Sequence, residues 1–380
     1  MSDRRLETLN LGQLEKSELV GLRFELRPCQ AVELFPDYAK GLHAWFLHQI
    51  QAYDPDLSRY LHDQQTEKAF TLSRLDGPIL VNGDKLILST DATYHWYLTL
   101  LSTEVIQGVL PWLRELPTIL ELARNPFRIE GVTTFLPPQT YGDLYQVKPR
   151  RTVNLSFLSP TSFRRKGNHF PLPVPNNLFH SYLRRWHEFS GYALDDDDEF
   201  LAWIDECVRI DRHWLESMVV PGGKRGNVTG FIGAIALSLS PKARENPEFS
   251  QLFHSLTHYA PYCGTGHKTP FGLGQTRCEW REPQQSCVAW VQSVLQEQSL
   301  AERVEGLTVQ LMQQKKRTGG DRALKICQAQ AQIVARRELG ESLQAISKRS
   351  ATRRAADLDL SYETARTYSK RAKKLLQELS

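Results

Sequence analysis

The chain has 380 residues, 41% of them hydrophobic, and a formal net charge of +4. No run of eighteen apolar residues occurs, and the start MSDRRLETLN has no apolar signal core. The sequence therefore argues against a transmembrane helix and against secretion, and we expect a cytoplasmic protein. The six cysteines include no CxxC pair, which fits neither a zinc knuckle nor a disulfide framework.

The first part of the chain predicts alternating strands and helices. Val20, Leu22, Phe24 and Leu26 alternate with polar residues, which predicts a half-buried strand. In chain order the predicted elements are a strand at 18–30, helices at 36–52 and 54–62, strands at 69–75 and 85–89, a proline-interrupted helix at 102–122, and strands at 126–134 and 141–146. The order strand–helix–strand–strand–helix–strand is typical of a ferredoxin-like domain.

The same order partly recurs in the second part. The predicted elements are a strand at 152–158, a helix at 177–189, strands at 208–210 and 228–239, and a helix at 247–259. We therefore predict an α+β fold of two tandem ferredoxin-like domains, residues 15–147 and 148–285, followed by a helical extension at 286–380. The repeat is one of elements and not of residues.

The extension is basic. Residues 311–380 hold 16 Lys and Arg against 7 Asp and Glu, or +9, which leaves −5 for the first 310 residues. This imbalance indicates a polyanionic partner for the extension, or else only a solvated charged helix. Ile346 to Lys374 suggests a helix-turn-helix in which Ser361 caps the second helix, although the turn at 349–359 is long. A plain basic helical hairpin is the alternative.

A glycine-rich segment, YCGTGHKTPFGLGQTR, occupies residues 262–277. It matches neither the P-loop nor the dinucleotide fingerprint. Its four glycines permit close backbone approach to an anion. The alternative interpretation is a glycine-rich turn between strands. A second basic cluster, Arg164-Arg165-Lys166, is predicted on a loop.

Three segments together resemble one family. They are NLSFLSPTSFRRKGNHFPLPVPNNLFHSYLRRW (154–186), GFIGAIALSLS (230–240) and HYAPYCGTGHKTPFGLGQTR (258–277). They are similar to the CRISPR repeat-processing endoribonucleases, the sixth protein family of the CRISPR-associated series, within the RAMP superfamily. The resemblance covers about residues 15–280, and the basic extension lies outside the usual family pattern.

The resemblance implies two ferredoxin-like domains with a basic RNA-binding groove. It implies cleavage of the CRISPR repeat within precursor RNA, without a metal or other cofactor, to a 2′,3′-cyclic phosphate and a 5′-hydroxyl. The expected partner is the repeat RNA, with subunits of a CRISPR effector complex as further candidates.

Such cleavage needs a base for the 2′-hydroxyl, an acid for the 5′-oxygen and a cation for the phosphorane. His62 and Lys68 lie in YLHDQQTEKAFTLS (60–73), which resembles the family's Leu-His motif with its downstream Lys. The resemblance therefore assigns His62 as general base or acid and Lys68 as charge stabiliser. Otherwise, His62 simply ends a helix and Lys68 is a loop cation.

The second catalytic group is open. Some family members have a Tyr fifteen residues before the His, and here Leu47 takes that position. On the helical wheel His43 falls within the apolar arc, which suggests a packed core histidine, whereas His48 falls on the opposite face. His48 is therefore the second catalytic candidate, with Tyr53 a weaker one.

Further residues are predicted to bind RNA phosphates. They are Gly264, Gly266, His267, Lys268, Gly272, Gly274, Arg277, Arg164, Arg165 and Lys166. For His267, the alternative to phosphate binding is a catalytic role. The acidic run 195–199 is interpreted as a helix start, not a metal site.

Two other functions stay open from the sequence. A repeat-binding subunit without cleavage is one, because Leu47 replaces the family Tyr. A DNA-binding regulator that uses the C-terminal helices is the other.

Overall fold

The computed structural model describes residues 9–63, 67–82, 85–192, 196–221, 227–281, 300, 303–314, 320–338, 341–344, 346–347 and 361–377. The chain forms two compact units, Met1–Ser293 and Val294–Ser380. In the described parts, no helix has the length and apolarity needed to span a membrane.

The first unit contains all the strands that the structure describes. In chain order these are β1 (Leu19–Pro28), β2 (Val32–Leu34), β3 (Phe70–Leu72), β4 (Leu80–Asn82), β5 (Lys85–Leu88), β6 (Tyr94–Leu100), β7 (Ile119–Leu122), β8 (Asn125–Gln139), β9 (Thr152–Thr161), β10 (Phe163–Arg165), β11 (Asn168–Phe170), β12 (Val208–Pro221), β13 (Asn227–Leu239) and β14 (Thr276–Arg277). Its helices are α1 (Leu11–Leu14), α2 (Ala39–Tyr53), α3 (Pro55–Asp63), α4 (Thr103–Arg114), α5 (Tyr141–Tyr145), α6 (Pro175–Ser190), α7 (Asp197–Cys207) and α8 (Pro247–Cys263).

Two antiparallel sheets have the same topology. The first has the order β3-β6-β1-β8-β7 and the second the order β12-β13-β9-β14. Without the added edge strand β7, each follows the ferredoxin-like order, with the first and third strands of the motif at the centre. The two tandem ferredoxin-like folds predicted from the sequence are therefore confirmed. The individual domain boundaries at 147 and 285 stay predictions.

The hydrophobic pattern explains the layers. On β1 the even-numbered residues, such as Leu22 and Phe24, are fully buried, while Arg23 and Glu25 face away from the core. Phe24 stacks on Trp112 of α4 with ring centroids 5.7 Å apart. Burial of these large side chains, at roughly 25 cal/mol per Å² of apolar surface, stabilises the helix layer on one face of the sheet.

Two predicted elements of the first domain are wrong, and a third, the strand at 85–89, forms as β5 but outside the ferredoxin-like motif. The third strand of the ferredoxin-like motif is β6, whereas β5 pairs with β2 and β4 in a small separate sheet. Residues 119–122 form β7 rather than the end of a helix. Residues 141–145 form α5 rather than a strand, because Thr140 and Asp143 form a capping box that begins a helix.

The second domain agrees better with its predicted elements. β9, α6, β13 and α8 overlap the predicted ranges, whereas β12 runs to Pro221 and is far longer than the predicted 208–210. Tyr141, Trp186 and Tyr259 are buried together in its core. The acidic run begins α7, where the Asp196 carboxylate accepts hydrogen bonds from the amides of Asp198 and Glu199.

The described part of the second unit is helical, as predicted. It contains α9 (303–313), α10 (Asp321–Glu338) and α11 (Tyr362–Gln377). Ser361 caps α11, because its Oγ accepts a hydrogen bond from the Thr364 amide at 3.3 Å. The turn predicted at 349–359 lies outside the described residues.

Candidate functional site

His62 lies in the last turn of α3, and its side chain is exposed. Lys68 follows the helix, and its Nζ donates hydrogen bonds to the carbonyls of Leu61 and His62, each at 2.9 Å. These carbonyls belong to the open C-terminal end of the helix, where a cation is favoured. Lys68 therefore fixes a positive charge directly beside His62.

His43, on α2, belongs to the same cluster. Its ring stacks on Phe271, with centroids 4.3 Å apart and an interplanar angle of 21°, and lies 5.9 Å from Phe70. Burial, followed by the charges of His62 and Lys68, lowers the pKa of His43 to about 4. His43 is therefore neutral at pH 7, with its ring in the electrostatic field of both predicted catalytic residues.

The other candidates on α2 are placed differently. His48 is exposed and lies five residues after His43, about 140° around the helix. Leu47, at the family Tyr position, is only 7% exposed, so its side chain is part of the core. The Tyr53 hydroxyl lies 3.4 Å from Glu115 at the far end of the helix. Nothing in this geometry tests His48, which stays a prediction.

Sequence reasoning missed His43 as a candidate catalytic group because it assigned every residue in the apolar arc to the core. The interpretation as a packed histidine is partly right, since the ring stacks on two aromatic residues. The useful signal was a titratable ring inside the apolar arc, and the structure leaves part of this side chain accessible.

An ion-pair network joins this cluster to the second domain. Glu67, next to Lys68, pairs with Arg185 at 2.9 Å and with Arg184 at 2.8 Å. The guanidinium of Arg185 also donates to the carbonyl of Gly266 at 2.6 Å and to that of Gly264 at 3.4 Å. Through Arg185, the glycine-rich loop and the segment carrying Lys68 are fixed to the same helix, α6.

Backbone amides of the glycine-rich loop donate hydrogen bonds that hold the loop in place. Those of Gly264, Gly266 and Gly274 donate to Ala260 O, Ser181 Oγ and Pro160 O, respectively. These three amides therefore have partners within the protein, and RNA contact at the three glycines stays a prediction. Positive φ angles and close packing explain the glycines, since a Cβ on Gly266 would meet Ser162 O at 2.3 Å. For Gly272, RNA contact stays a prediction.

The cluster Arg164-Arg165-Lys166 lies on the hairpin β10–β11 and not on an irregular loop. Lys166 (φ 50°) and Gly167 (φ 83°) make the turn, and all three cations are exposed. Left-handed backbone at both turn residues matches the turns preferred by two-residue hairpins. The hairpin therefore presents three exposed cations next to one another.

This hairpin meets the glycine-rich loop through two histidines. The rings of His169 and His267 stack with centroids 5.3 Å apart, and His267 Nδ1 donates to Ser162 O at 2.7 Å. Burial first, with nearby cations that include Lys268 and Arg164, lowers the pKa of His267 to about 4. His267, Lys268 and Arg164 thus share one surface, on which His169 is the residue that sequence reasoning missed.

Arg277 lies in a small cleft between the two domains, lined in part by Thr71 and Gly274. Its guanidinium is 4.6 Å from the ring centroid of Phe135 and 5.2 Å from that of Tyr97. Burial is the main cause that lowers the pKa of Arg277 to about 10, so the side chain stays charged at pH 7. A cation stacked on two rings is held in one orientation.

In the described ranges, no group of three or more His, Cys, Asp or Glu side chains is arranged to hold a metal ion. The arrangement does supply two imidazoles and an ammonium group, which can move protons and offset negative charge. Two ferredoxin-like domains, a His–Lys cluster between them and exposed cations on a hairpin define a protein suited to acid–base chemistry on a polyanion.

Two family models match the chain. One, described as CRISPR-associated endoribonuclease Cas6, matches residues 155–276, and the other, the CRISPR Cas6 N-terminal domain, matches residues 21–108. Together they cover more than half of the 380 residues. The chain belongs to the CRISPR-associated endoribonuclease Cas6 family.

Individual relatives are distant. A CRISPR-associated endoribonuclease Cas6 of Mycobacterium tuberculosis (strain CDC 1551 / Oshkosh) is 23% identical over 206 residues, which cover 51% of this chain and 62% of the relative. The solved structure titled Cas6 (TTHA0078) product complex is 28% identical, with a TM-score of 0.53 over 69% of this chain and 99% of that chain. Cas6 (TTHB231) product complex is 24% identical, with a TM-score of 0.57 over 68% and 98%.

Proposed function

We propose that this protein is an endoribonuclease that cuts CRISPR precursor RNA within the repeat. Attack by the 2′-hydroxyl would leave a 2′,3′-cyclic phosphate and a 5′-hydroxyl. The observation that carries the proposal is the cluster of His43, His62 and Lys68, in which Lys68 Nζ donates to the His62 carbonyl and the His43 ring stacks on Phe271. Membership in the Cas6 family and similarity to the TTHA0078 product complex support the substrate class.

The roles follow from the environment of each group. His43 is neutral above about pH 4 and can take the proton of the 2′-hydroxyl. The 2′-oxygen then attacks phosphorus, and the bond from phosphorus to the 5′-oxygen breaks. His62, exposed at the helix end, gives its proton to the leaving 5′-oxygen. Lys68 holds the helix end and provides positive charge next to the phosphorane.

His43 replaces the hydroxyl that is missing at Leu47. Both residues lie on α2, one helical turn apart, but the Leu47 side chain is buried, and Ser58 Oγ donates a hydrogen bond to its carbonyl. A chain that lacks the family Tyr therefore still has two titratable groups at the proposed site. This geometry favours cleavage over the alternative of a subunit that only binds the repeat.

RNA would approach across the hairpin β10–β11 and the glycine-rich loop. Arg164, Arg165 and Lys166 are exposed there, and Lys268 is close enough to His267 to lower its pKa. Contacts of this kind supply salt-dependent affinity for the phosphate backbone, without reading sequence.

The test is cleavage of the cognate repeat RNA by the full chain in EDTA, with identification of both product ends. We expect His43→Ala and His62→Ala to slow single-turnover cleavage by about 10²–10⁴-fold, the usual contribution of an acid or base, with little change in RNA affinity. His48→Ala, on the same helix, distinguishes the two candidates for the second group.

Each outcome has a definite meaning. Full activity in His43→Ala together with loss in His48→Ala would reject His43 and restore His48. Tight binding with no cut by the unmodified chain would reject the nuclease proposal in favour of a repeat-binding subunit. A cut that needs an added divalent ion would reject the proton-transfer mechanism.

A further inference from the structure

The proposed nuclease site does not use the second unit, Val294–Ser380, which has its own hydrophobic core. Leu307 and Leu311 of α9 pack against Cys327 and Val334 of α10, and Ala372 of α11 joins them. A second small cluster brings Ile333, Ile346 and Ala365 together. These contacts hold α11 against α10 along one face.

The opposite face of α11 is polar and basic. Arg366, Lys370 and Lys374 are exposed and four residues apart, so they form one stripe along the helix. Ala365 and Ala372, fully buried, are small side chains on the packed face. The helix is therefore seated by small residues and directs long cations outward.

These cations differ from others in the same unit. Arg303 pairs with Glu338 at 2.9 Å, and Arg336 pairs with Glu341 at 3.1 Å. In the described part of the unit, no carboxylate forms an ion pair with Arg366, Lys370 or Lys374. A row of like charges without an ion-pair partner among the described residues is the electrostatic footprint of a nucleic-acid partner.

The two ends of α11 differ in chemistry. Tyr362, Glu363, Arg366 and Thr367 are exposed on its first half, and Lys370, Arg371 and Lys374 on its second half. The side chains of the first half, Arg366 among them, can read base edges, whereas the three cations of the second half can contact phosphates. A recognition helix in the major groove also contacts bases with its N-terminal residues.

The dimensions select the kind of duplex. α11 has 16 residues and is about 24 Å long, and an α-helix fits the roughly 12 Å wide major groove of B-form DNA. The major groove of an A-form RNA duplex is too deep and narrow for side chains to read. The shape of α11 therefore favours DNA over double-stranded RNA.

We propose that the second unit is a DNA-binding module whose helix α11 enters the major groove of a duplex. This site is separate in function from the proposed nuclease site and goes beyond it. It gives the protein two nucleic-acid partners, RNA for the first unit and double-stranded DNA for the second.

The test uses the full chain and a fluorescent mixed-sequence DNA duplex of about 30 base pairs, roughly three turns. Binding is measured by anisotropy over a salt series. We expect Lys370→Ala/Lys374→Ala to weaken binding about tenfold and to reduce the slope of log K against log[salt] by about 2, one for each phosphate contact. Cleavage of repeat RNA should be unchanged.

Lys325→Ala is the matched control for Lys370→Ala, since each removes one exposed cation from a helix of the same unit. Only Lys370→Ala should weaken DNA binding, and thermal melts should be equal for the two variants. Equal losses of DNA affinity would overturn the proposal, because net charge would then explain the binding. Loss of affinity for an RNA duplex or for single-stranded RNA, with DNA binding intact, would also overturn it.

Discussion

Glu67 and Arg185 form an ion pair at 2.9 Å that joins the segment before β3 to helix α6. The Arg185 side chain is only 4% exposed, and its remaining donors bind carbonyls of the glycine-rich loop. One buried cation thus connects the residue next to Lys68 with the loop that carries Phe271. The proposed nuclease site depends on both domains through this pair.

Replacement of Arg185 should be costly. Arg185→Ala leaves the Glu67 carboxylate and the carbonyls of Gly264 and Gly266 without this donor, and removal of one partner of a buried pair typically costs about 3–5 kcal/mol. The free energy of unfolding in urea measures this. The control is Arg184→Ala. The Arg184 side chain is half-exposed and pairs with the same carboxylate, so its removal should cost about 0–1 kcal/mol of unfolding free energy. Equal costs for the two variants would contradict the prediction.

Phe271 should control the acid limb of the pH–rate profile. Burial is the main cause of the low pKa of His43, and the Phe271 ring covers the imidazole at 4.3 Å. Phe271→Ala exposes His43 to water, so its pKa should rise from about 4 towards its ordinary value near 6.5. Because protonated His43 cannot accept a proton, the acid limb of single-turnover cleavage should move to higher pH. An unmoved limb would show that another group sets it.

The hairpin cations should add affinity without affecting the chemical step. Arg164→Ala/Arg165→Ala removes two exposed cations, so the slope of log K for repeat RNA against log[salt] should fall by about 1.4. The single-turnover rate at saturating protein should stay the same. Lys16→Ala/Arg114→Ala removes two exposed cations elsewhere on the first unit and should leave the slope unchanged. If both double variants behave alike, the hairpin has no specific role.

Replacement by alanine should destabilise the protein to different extents at two glycines with positive φ. At Gly167 (φ 83°) a Cβ would meet nothing within 4 Å, so Gly167→Ala should cost only the left-handed backbone penalty, roughly 1–2 kcal/mol. At Gly266 (φ 76°) a Cβ would also press on Ser162 O at 2.3 Å. Gly266→Ala should therefore lower the melting temperature considerably more. Similar melting temperatures would mean that the loop can shift away from Ser162.

Stability should fall in acid. Burial is the main cause that lowers the pKa values of His43, His254 and His267 to about 4 each, against about 6.5 in an unfolded chain. Between these values the unfolded chain binds more protons, so this contribution to stability is complete above about pH 6.5 and is lost as pH falls towards 4.

Urea unfolding at a series of pH values measures this effect. His254→Leu removes one of the three groups, and its free energy of unfolding should depend less steeply on pH over the same window. His254 lies in α8, on which the proposed chemistry does not depend. A wild-type free energy that stays constant from neutral pH to about pH 5 would contradict the prediction.

The sequence predicted the topology because periodicity and helix caps are local signals. Asp54 caps α3, as its Oδ1 accepts from the Leu57 amide at 2.8 Å, and β1 alternates as expected. The errors arose where two local signals competed. Pro111 suggested a helix break, yet it lies inside α4, and the regular alternation from Tyr94 to Leu100 was passed over in favour of the short strand at 85–89.

The candidate site was less predictable because it is assembled from distant parts of the chain. His62 and Lys68 were found through a short motif, whereas the neighbours of His43 include Phe271, 228 positions away. The amides of the glycine-rich loop were likewise expected to be open, although partners such as Ser181 Oγ occupy them. Long-range contacts of this kind leave no periodic trace in a single sequence.

The last strand of the second sheet, β14, consists of only Thr276 and Arg277, and it pairs with β9. Residues up to Arg277 must therefore leave the ribosome before this sheet can close. Until then Phe271 and Arg277 cannot take their places beside His43 and Tyr97. A nascent chain that ends before residue 271 would carry His62 and Lys68 without the ring that covers His43, so the proposed nuclease site is completed only late in the synthesis of the first unit.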